Sequence, residues 1–186
     1  KDDIEYTRLF AELGVSTPAG NGVLVSHVEA PTSVNVYLPD PANAQLLGDT
    51  ITDVTGISAG TYSGHATGVG SLFYGSSSMA SGINLIDAYE ANIWMQGDFL
   101  RWNVSTLKPL SSSSRIGNHS WVGSFESFIV GSDSEILRRL DWVIETDAFI
   151  QAVGAGGSSN LLGVAYNVIV VGTTGGVHGT CTSALE

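Results

Sequence analysis

Val23–Val28 carries apolar residues on both faces apart from Ser26 and His27, and Phe149–Val153 and Val168–Val171 are further short runs dominated by apolar residues. A strand with hydrophobic side chains on both faces belongs in a parallel sheet covered by helices on each side. Ile83–Ala88 and Arg115–Trp121, the latter entered from the serine loop Ser111–Ser114, are read as further strands. Between the runs the spacing turns helical. Ile4, Tyr6, Leu9, Phe10 and Leu13 recur at helical intervals, and Thr17-Pro18-Ala19-Gly20-Asn21-Gly22 ends that stretch with turn chemistry. His65–Tyr74 is apolar and carries Ala66, Gly68 and Gly70, the composition of a helix packed tightly against a neighbour. Ala91–Trp102, with Ile93, Trp94, Phe99 and Leu100, is read as helical. Ser132-Asp133-Ser134-Glu135 reads as a capping box, opening a helix to about Thr146 with Ile136, Leu137, Leu140, Val143 and Ile144 on one face. Residues 30–62 lack strong periodicity, hold Pro31, Pro39 and Pro41, and are read as loops and short pieces. Strands alternating with helices predict a three-layer, doubly wound α/β fold with a mostly parallel sheet.

A chain of 186 residues, 43% of them hydrophobic, buries one sizeable core, so residues 1–186 are expected to form a single domain. The formal net charge of -11 is spread along the chain without an acidic block, which argues against nucleic acid as a partner. Together with the low charged fraction of 13%, it fits a secreted or extracellular protein kept dispersed by its charge. The lone Cys181 allows no intrachain disulfide framework. No stretch approaches the ~18–20 consecutive apolar residues that span a bilayer. The chain starts Lys1-Asp2-Asp3, without Met or an apolar leader, which is expected of a trimmed precursor or a recombinant product.

Chemistry-bearing residues sit where the predicted strands end. Glu29 closes the first strand, at the edge where open α/β sheets bind ligands. His65 opens the small-residue helix. A carboxylate facing an imidazole fixes its tautomer and stabilises its cation, and an imidazole titrating near neutrality is suited to general-base work. The bland alternatives are a carboxylate on a solvated loop for Glu29 and a neighbour of a helix N-cap for His65, and the functional reading is preferred at both. His27, His119 and His178 are widely separated and match no ligand spacing, so no metal site and no cofactor are predicted. Trp94, Trp102 and Trp121 are read as core aromatics, or alternatively as a binding or self-assembly face.

Taken in order, these segments resemble the N-terminal two-thirds of a subtilisin-like serine peptidase domain, over roughly Gly20–Gly172. Gly20-Asn21-Gly22-Val23-Leu24-Val25-Ser26-His27-Val28-Glu29 is similar to the family's acid-bearing strand, with Glu29 in place of Asp. His65-Ala66-Thr67-Gly68-Val69-Gly70-Ser71 resembles the segment carrying the catalytic base, with Gly68 where the family has a second His. Asn118-His119-Ser120-Trp121 looks like the strand end that lines the substrate cleft, and Gly154-Ala155-Gly156-Gly157 like the segment that supplies the oxyanion-hole amide.

The resemblance implies Glu29 as triad acid, His65 as general base, and Ser120, Trp121, Gly154 and Gly156 as a substrate wall. Gly157 stands where the oxyanion Asn is expected, and Asn160, three residues on, is the alternative donor. The family's Gly-Thr-Ser nucleophile turn is expected several tens of residues beyond Val171, whereas the chain runs about fifteen further. Gly179-Thr180-Cys181 mimics such a turn but follows Gly172 too closely. The implied domain therefore lacks its C-terminal part. The expected partners are a peptide or protein substrate, a completing C-terminal fragment, or copies of the same chain in an oligomer or filament. The rival expectation is a catalytically inactive domain of this type with a structural, self-assembly or binding role.

Overall fold

In the computed structural model of the chain, which describes residues 1–104, 106–123, 131–155 and 160–172, six strands build one sheet. They are β1 (Leu24–Glu29), β2 (Thr50–Asp53), β3 (Leu85–Glu90), β4 (Ile116–His119), β5 (Ile150–Gly154) and β6 (Ile169–Val171). Their order is β2-β3-β1-β4-β5-β6, and each neighbouring pair is parallel. The α-helices are α1 (Tyr6–Leu13), α2 (Gly64–Phe73), α3 (Ala91–Ile93) and α4 (Ser132–Asp147). The protein is thus α/β, and the sheet expected to be mostly parallel is parallel throughout the described residues.

The two faces of the sheet are packed by different elements. On one face Val25 and Ile86, flanked by Ile51 and Ile116, meet Phe73 and Tyr74 at the end of α2 and Leu46 from the preceding loops. On the other face Val28, Tyr89 and Val153 meet Ile136, Leu137, Leu140 and Val143 of α4 together with Trp94, Phe99 and Leu100. Within this second layer Trp94 stacks on Phe99 at 5.1 Å and Phe99 meets Phe149 edge-on at 5.7 Å. Each such side chain contributes about 1.5–3 kcal/mol by leaving water. One polar group is recruited into the layer: the buried Arg139 of α4 donates to the carbonyls of Leu100 and Leu107, at 3.0 and 2.7 Å, and so pins the loop after Phe99.

Several elements differ from the sequence expectation. Residues 30–62 contain β2, a four-residue strand at the edge of the sheet. The stretch read as a helix over Ala91–Trp102 is one α turn followed by a π turn, Trp94–Asp98. The expected capping box is not formed. Gly131, in a left-handed backbone conformation at φ 57°, takes the N-cap place and Ser132 is already helical. Glu135 turns its carboxylate to Arg138 and Arg139 instead. The first helix begins at Tyr6 rather than Ile4, and none of its residues is buried. The strand expected from Val168 begins at Ile169 and lies at the sheet edge with all three residues exposed. The register puts Ile150, Ile169 and Val171 on the face that α2 covers further along the sheet, yet they are 47%, 55% and 54% exposed.

Gly20, at φ 84°, shapes the turn into β1, and a Cβ there would meet Ile83 Cγ1 at 2.6 Å. In α2 the small residues have separate roles. Ala66 and Gly70 are buried, whereas Gly68 faces solvent and a Cβ on it would meet nothing within 4 Å. Gly68→Ala is therefore expected to stabilise the protein by up to about 1 kcal/mol, the helix-propensity difference, read as a higher urea midpoint at unchanged slope.

Candidate active site

β1 ends in Glu29, and its two-residue side-chain period places His27 on the same face of the sheet. α2 starts beside that edge. The Ser63 hydroxyl caps it by accepting the Ala66 N–H at 3.1 Å, which fixes the direction in which His65 enters the first turn. The outcome is a continuous line of hydrogen bonds. His65 Nδ1 lies 2.8 Å from Glu29 Oε2, Glu29 Oε1 lies 2.9 Å from His27 Nε2, and His27 Nδ1 lies 2.9 Å from the Tyr74 hydroxyl. Glu29 and His27 are buried, while the His65 side chain is 23% exposed.

Burial pushes the Glu29 carboxyl up, but hydrogen bonds from His27 and His65 outweigh it and hold its pKa below the ordinary value. The hydrogen bond to Glu29 raises the pKa of His65, against a smaller opposing effect of burial. Both directions favour carboxylate beside imidazolium. An ionised carboxylate only accepts, so His65 Nδ1 donates to it and neutral His65 keeps its lone pair on Nε2. Among the described residues nothing is hydrogen-bonded to Nε2. The arrangement is equipped to take a proton from a hydroxyl or water and to hold it as an oriented imidazolium.

The register also gathers part of the expected substrate wall. Val28 pairs with His119 and His119 with Val153, so the next residues, Glu29, Ser120 and Gly154, form one row across three strand ends. Ser120 Oγ accepts the Asn118 side-chain amide at 3.0 Å. Trp121 is buried in the α4-side layer behind the sheet, edge-on to His119 at 5.8 Å, and so is a core ring rather than an exposed wall. Asn160 is buried as well. Its amide nitrogen donates to the Gly154 carbonyl, so in this arrangement it holds the end of β5, and it is hydrogen-bonded to neither Glu29 nor His65. Gly156 and Gly157, like His178 and Cys181, lie outside the described residues.

Two participants were not recognised as such from sequence. His27 registers there as a polar break in an apolar strand and as one of three histidines set aside as metal ligands, and Tyr74 only as the end of a helix. The usable signal is the spacing of His27 and Glu29, which puts two titratable groups side by side on one face of a buried strand. Behind the sheet lies a third histidine. His119 Nε2 is 2.7 Å from Gln151 Oε1, its Nδ1 has no partner among the described residues, and burial lowers its pKa to about 4.

Among the described residues no group of three or more His, Cys, Asp or Glu is arranged to hold a metal ion, and no helix is long and apolar enough to cross a membrane. Compared with known proteins, the chain matches no family model and no curated sequence.

Proposed function

We propose that this chain is the acid- and base-bearing portion of a subtilisin-like serine peptidase acting on peptides or proteins outside the cell. The carrying observation is the 2.8 Å hydrogen bond between Glu29 and His65 at the C-terminal edge of a parallel sheet, with the other imidazole nitrogen unengaged among the described residues. In this reading His65 Nε2 removes the proton of a serine hydroxyl as its oxygen adds to the peptide carbonyl. Glu29 stabilises the imidazolium without taking up the proton, and His65 then protonates the leaving amine. Ser120 and Gly154 stand in one row with the acid at the strand ends and form the wall of the cleft. No cofactor enters the chemistry.

The serine must be supplied to the pair. No hydroxyl among the described residues is hydrogen-bonded to His65, and the exposed row Ile150, Ile169 and Val171 offers an apolar seat for the segment that brings one. The same row supports the second reading, a domain of this type without catalysis. A copy of the chain laid on it gives closed oligomers or open filaments, according to whether the interface closes.

A fluorophosphonate probe separates the two. The 186-residue chain is expected to remain unlabelled and to cleave no peptide, because triad members act as a unit. Supplying a C-terminal segment that carries the serine is expected to produce labelling, and His65→Ala to reduce it by orders of magnitude. Stoichiometric labelling of a serine in the isolated chain, or no labelling in the completed one, overturns the peptidase reading.

A further inference from the structure

Carboxylate and imidazole make a sufficient pair for general-base work, yet two more side chains are aligned behind them and buried. We propose that Tyr74 and His27 are positioning residues for Glu29: the Tyr74 hydroxyl donates to His27 Nδ1 and His27 Nε2–H donates to Glu29 Oε1, which holds the carboxylate in one orientation and leaves its second oxygen for His65. This deepens the peptidase reading and rests on it for its use in catalysis. The proton arrangement itself stands without it.

The assignment follows from counting donors. Burial holds the Tyr74 phenol protonated, well above its ordinary titration range, with the nearby carboxylates of Asp49 and Glu29 acting in the same direction. Among the described residues that hydroxyl is hydrogen-bonded to His27 Nδ1 alone; ionised Glu29 can only accept, so His27 Nε2 carries the proton facing it and Nδ1 of the neutral ring accepts from the hydroxyl. A neutral imidazole that accepts at Nδ1 carries its proton at Nε2, which faces Glu29. Glu29 then receives two N–H donors, one on each oxygen. The remaining charged neighbour in its row, Glu90 on β3, is engaged elsewhere: its oxygens accept the Asn92 amide and the Ile93 backbone N–H. From β4, His119 lies on the opposite face of the sheet. The line exists only because Gly70 has no side chain, since a Cβ there would stand 2.7 Å from the Tyr74 hydroxyl oxygen. Small residues on α2 thus let the ring fold back over the helix and reach the strand.

The test is NMR on the intact chain, reading side-chain 15N shifts of the histidines and the side-chain 13C shift of Glu29 against pH. In the wild type at pH 8, His27 is expected to show a proton on Nε2 and none on Nδ1. Tyr74→Phe keeps the ring and removes the donor, and is expected to bring the two His27 nitrogen shifts toward each other. His27→Leu is expected to raise the Glu29 titration midpoint by at least one pH unit, a tenfold gain in proton affinity. A merely structural His27 leaves that midpoint in place however much stability is lost. A proton on His27 Nδ1 in the wild type, or a Glu29 midpoint unmoved by His27→Leu, overturns the proposal. Should His27→Leu fail to fold, the Tyr74→Phe shifts decide by themselves, unchanged tautomer signals counting against it. The titrations stand if the fluorophosphonate experiment fails, and labelling stands if the titrations fail, so the two readings fall separately.

Discussion

Glu29→Ala is expected to cost about 3–5 kcal/mol of folding stability, while Glu29→Gln is expected to cost much less and still disable His65. The alanine variant removes the acceptor for two N–H donors. It leaves His27, inside the protein, with an unpaired donor, and breaking a buried pair by deleting one partner falls in that range. A chain with the usual ~5–15 kcal/mol of stability then loses a large share of its margin, read directly as a shift in the denaturant midpoint. Glutamine retains the shape. Its oxygen accepts from His27, and its NH₂ turns to His65 Nδ1, which must now accept. The His65 proton moves to Nε2, the position that has to be bare for general-base work. The checks are a near-normal denaturation curve, His65 15N shifts with the tautomer reversed, and loss of the raised His65 titration. A glutamine variant with an unaltered His65 tautomer contradicts the arrangement.

The second large effect is acid sensitivity originating behind the sheet. Neutral His119 donates from Nε2 to Gln151, and charging it would place a proton on Nδ1, where it has no partner among the described residues. Its pKa is lowered by burial from 6.5 to about 4. In the unfolded chain the same imidazole binds a proton below 6.5. Between those values the unfolded state holds more protons, so stability falls as the pH falls, and it levels off below about 4. At 1.36 kcal/mol per unit this one residue makes the protein roughly 3 kcal/mol less stable at the acid end of the window. His119→Gln, which keeps a donor for Gln151, is expected to flatten that slope. Taking the difference between variant and wild type removes the contributions of Glu29 and His65, which titrate in both. Parallel stability profiles from pH 7 to pH 4 refute it.

The helical and strand periodicities made the sheet and the long helix readable, because β1 and α4 carry patterns that only burial explains. What escaped was set by contacts the pattern does not encode. Thr50-Ile51-Thr52-Asp53 is short, alternates with polar residues and sits among prolines, so it looks like a loop until β3 offers it an edge. The run after Ala91 has helical spacing, yet it gives way to a π turn that runs into Gly97-Asp98. Ser132 and Glu135 have the right spacing for a capping box, but two arginines one turn on compete for the glutamate. In the candidate site, Glu29 and His65 could be picked out because each stands at the end of an element. His27 showed only in its two-residue spacing from Glu29, and Tyr74 not at all, because its meaning lies in a fold-back over Gly70 that no local rule foretells.

The strand order has a consequence for the chain as it is being made. β1, synthesised ahead of both its partners, ends up inside the sheet, and β3 and β4 follow roughly sixty and ninety residues later. At about 5–20 residues per second the strand waits several seconds without a neighbour. A wholly aliphatic strand left bare for so long is a template for pairing with the wrong chain. Ser26, His27 and Glu29 interrupt this one, and polar residues within an apolar strand lower its tendency to pair out of place, so His27 and Glu29 have a use before the fold that gives them their site exists.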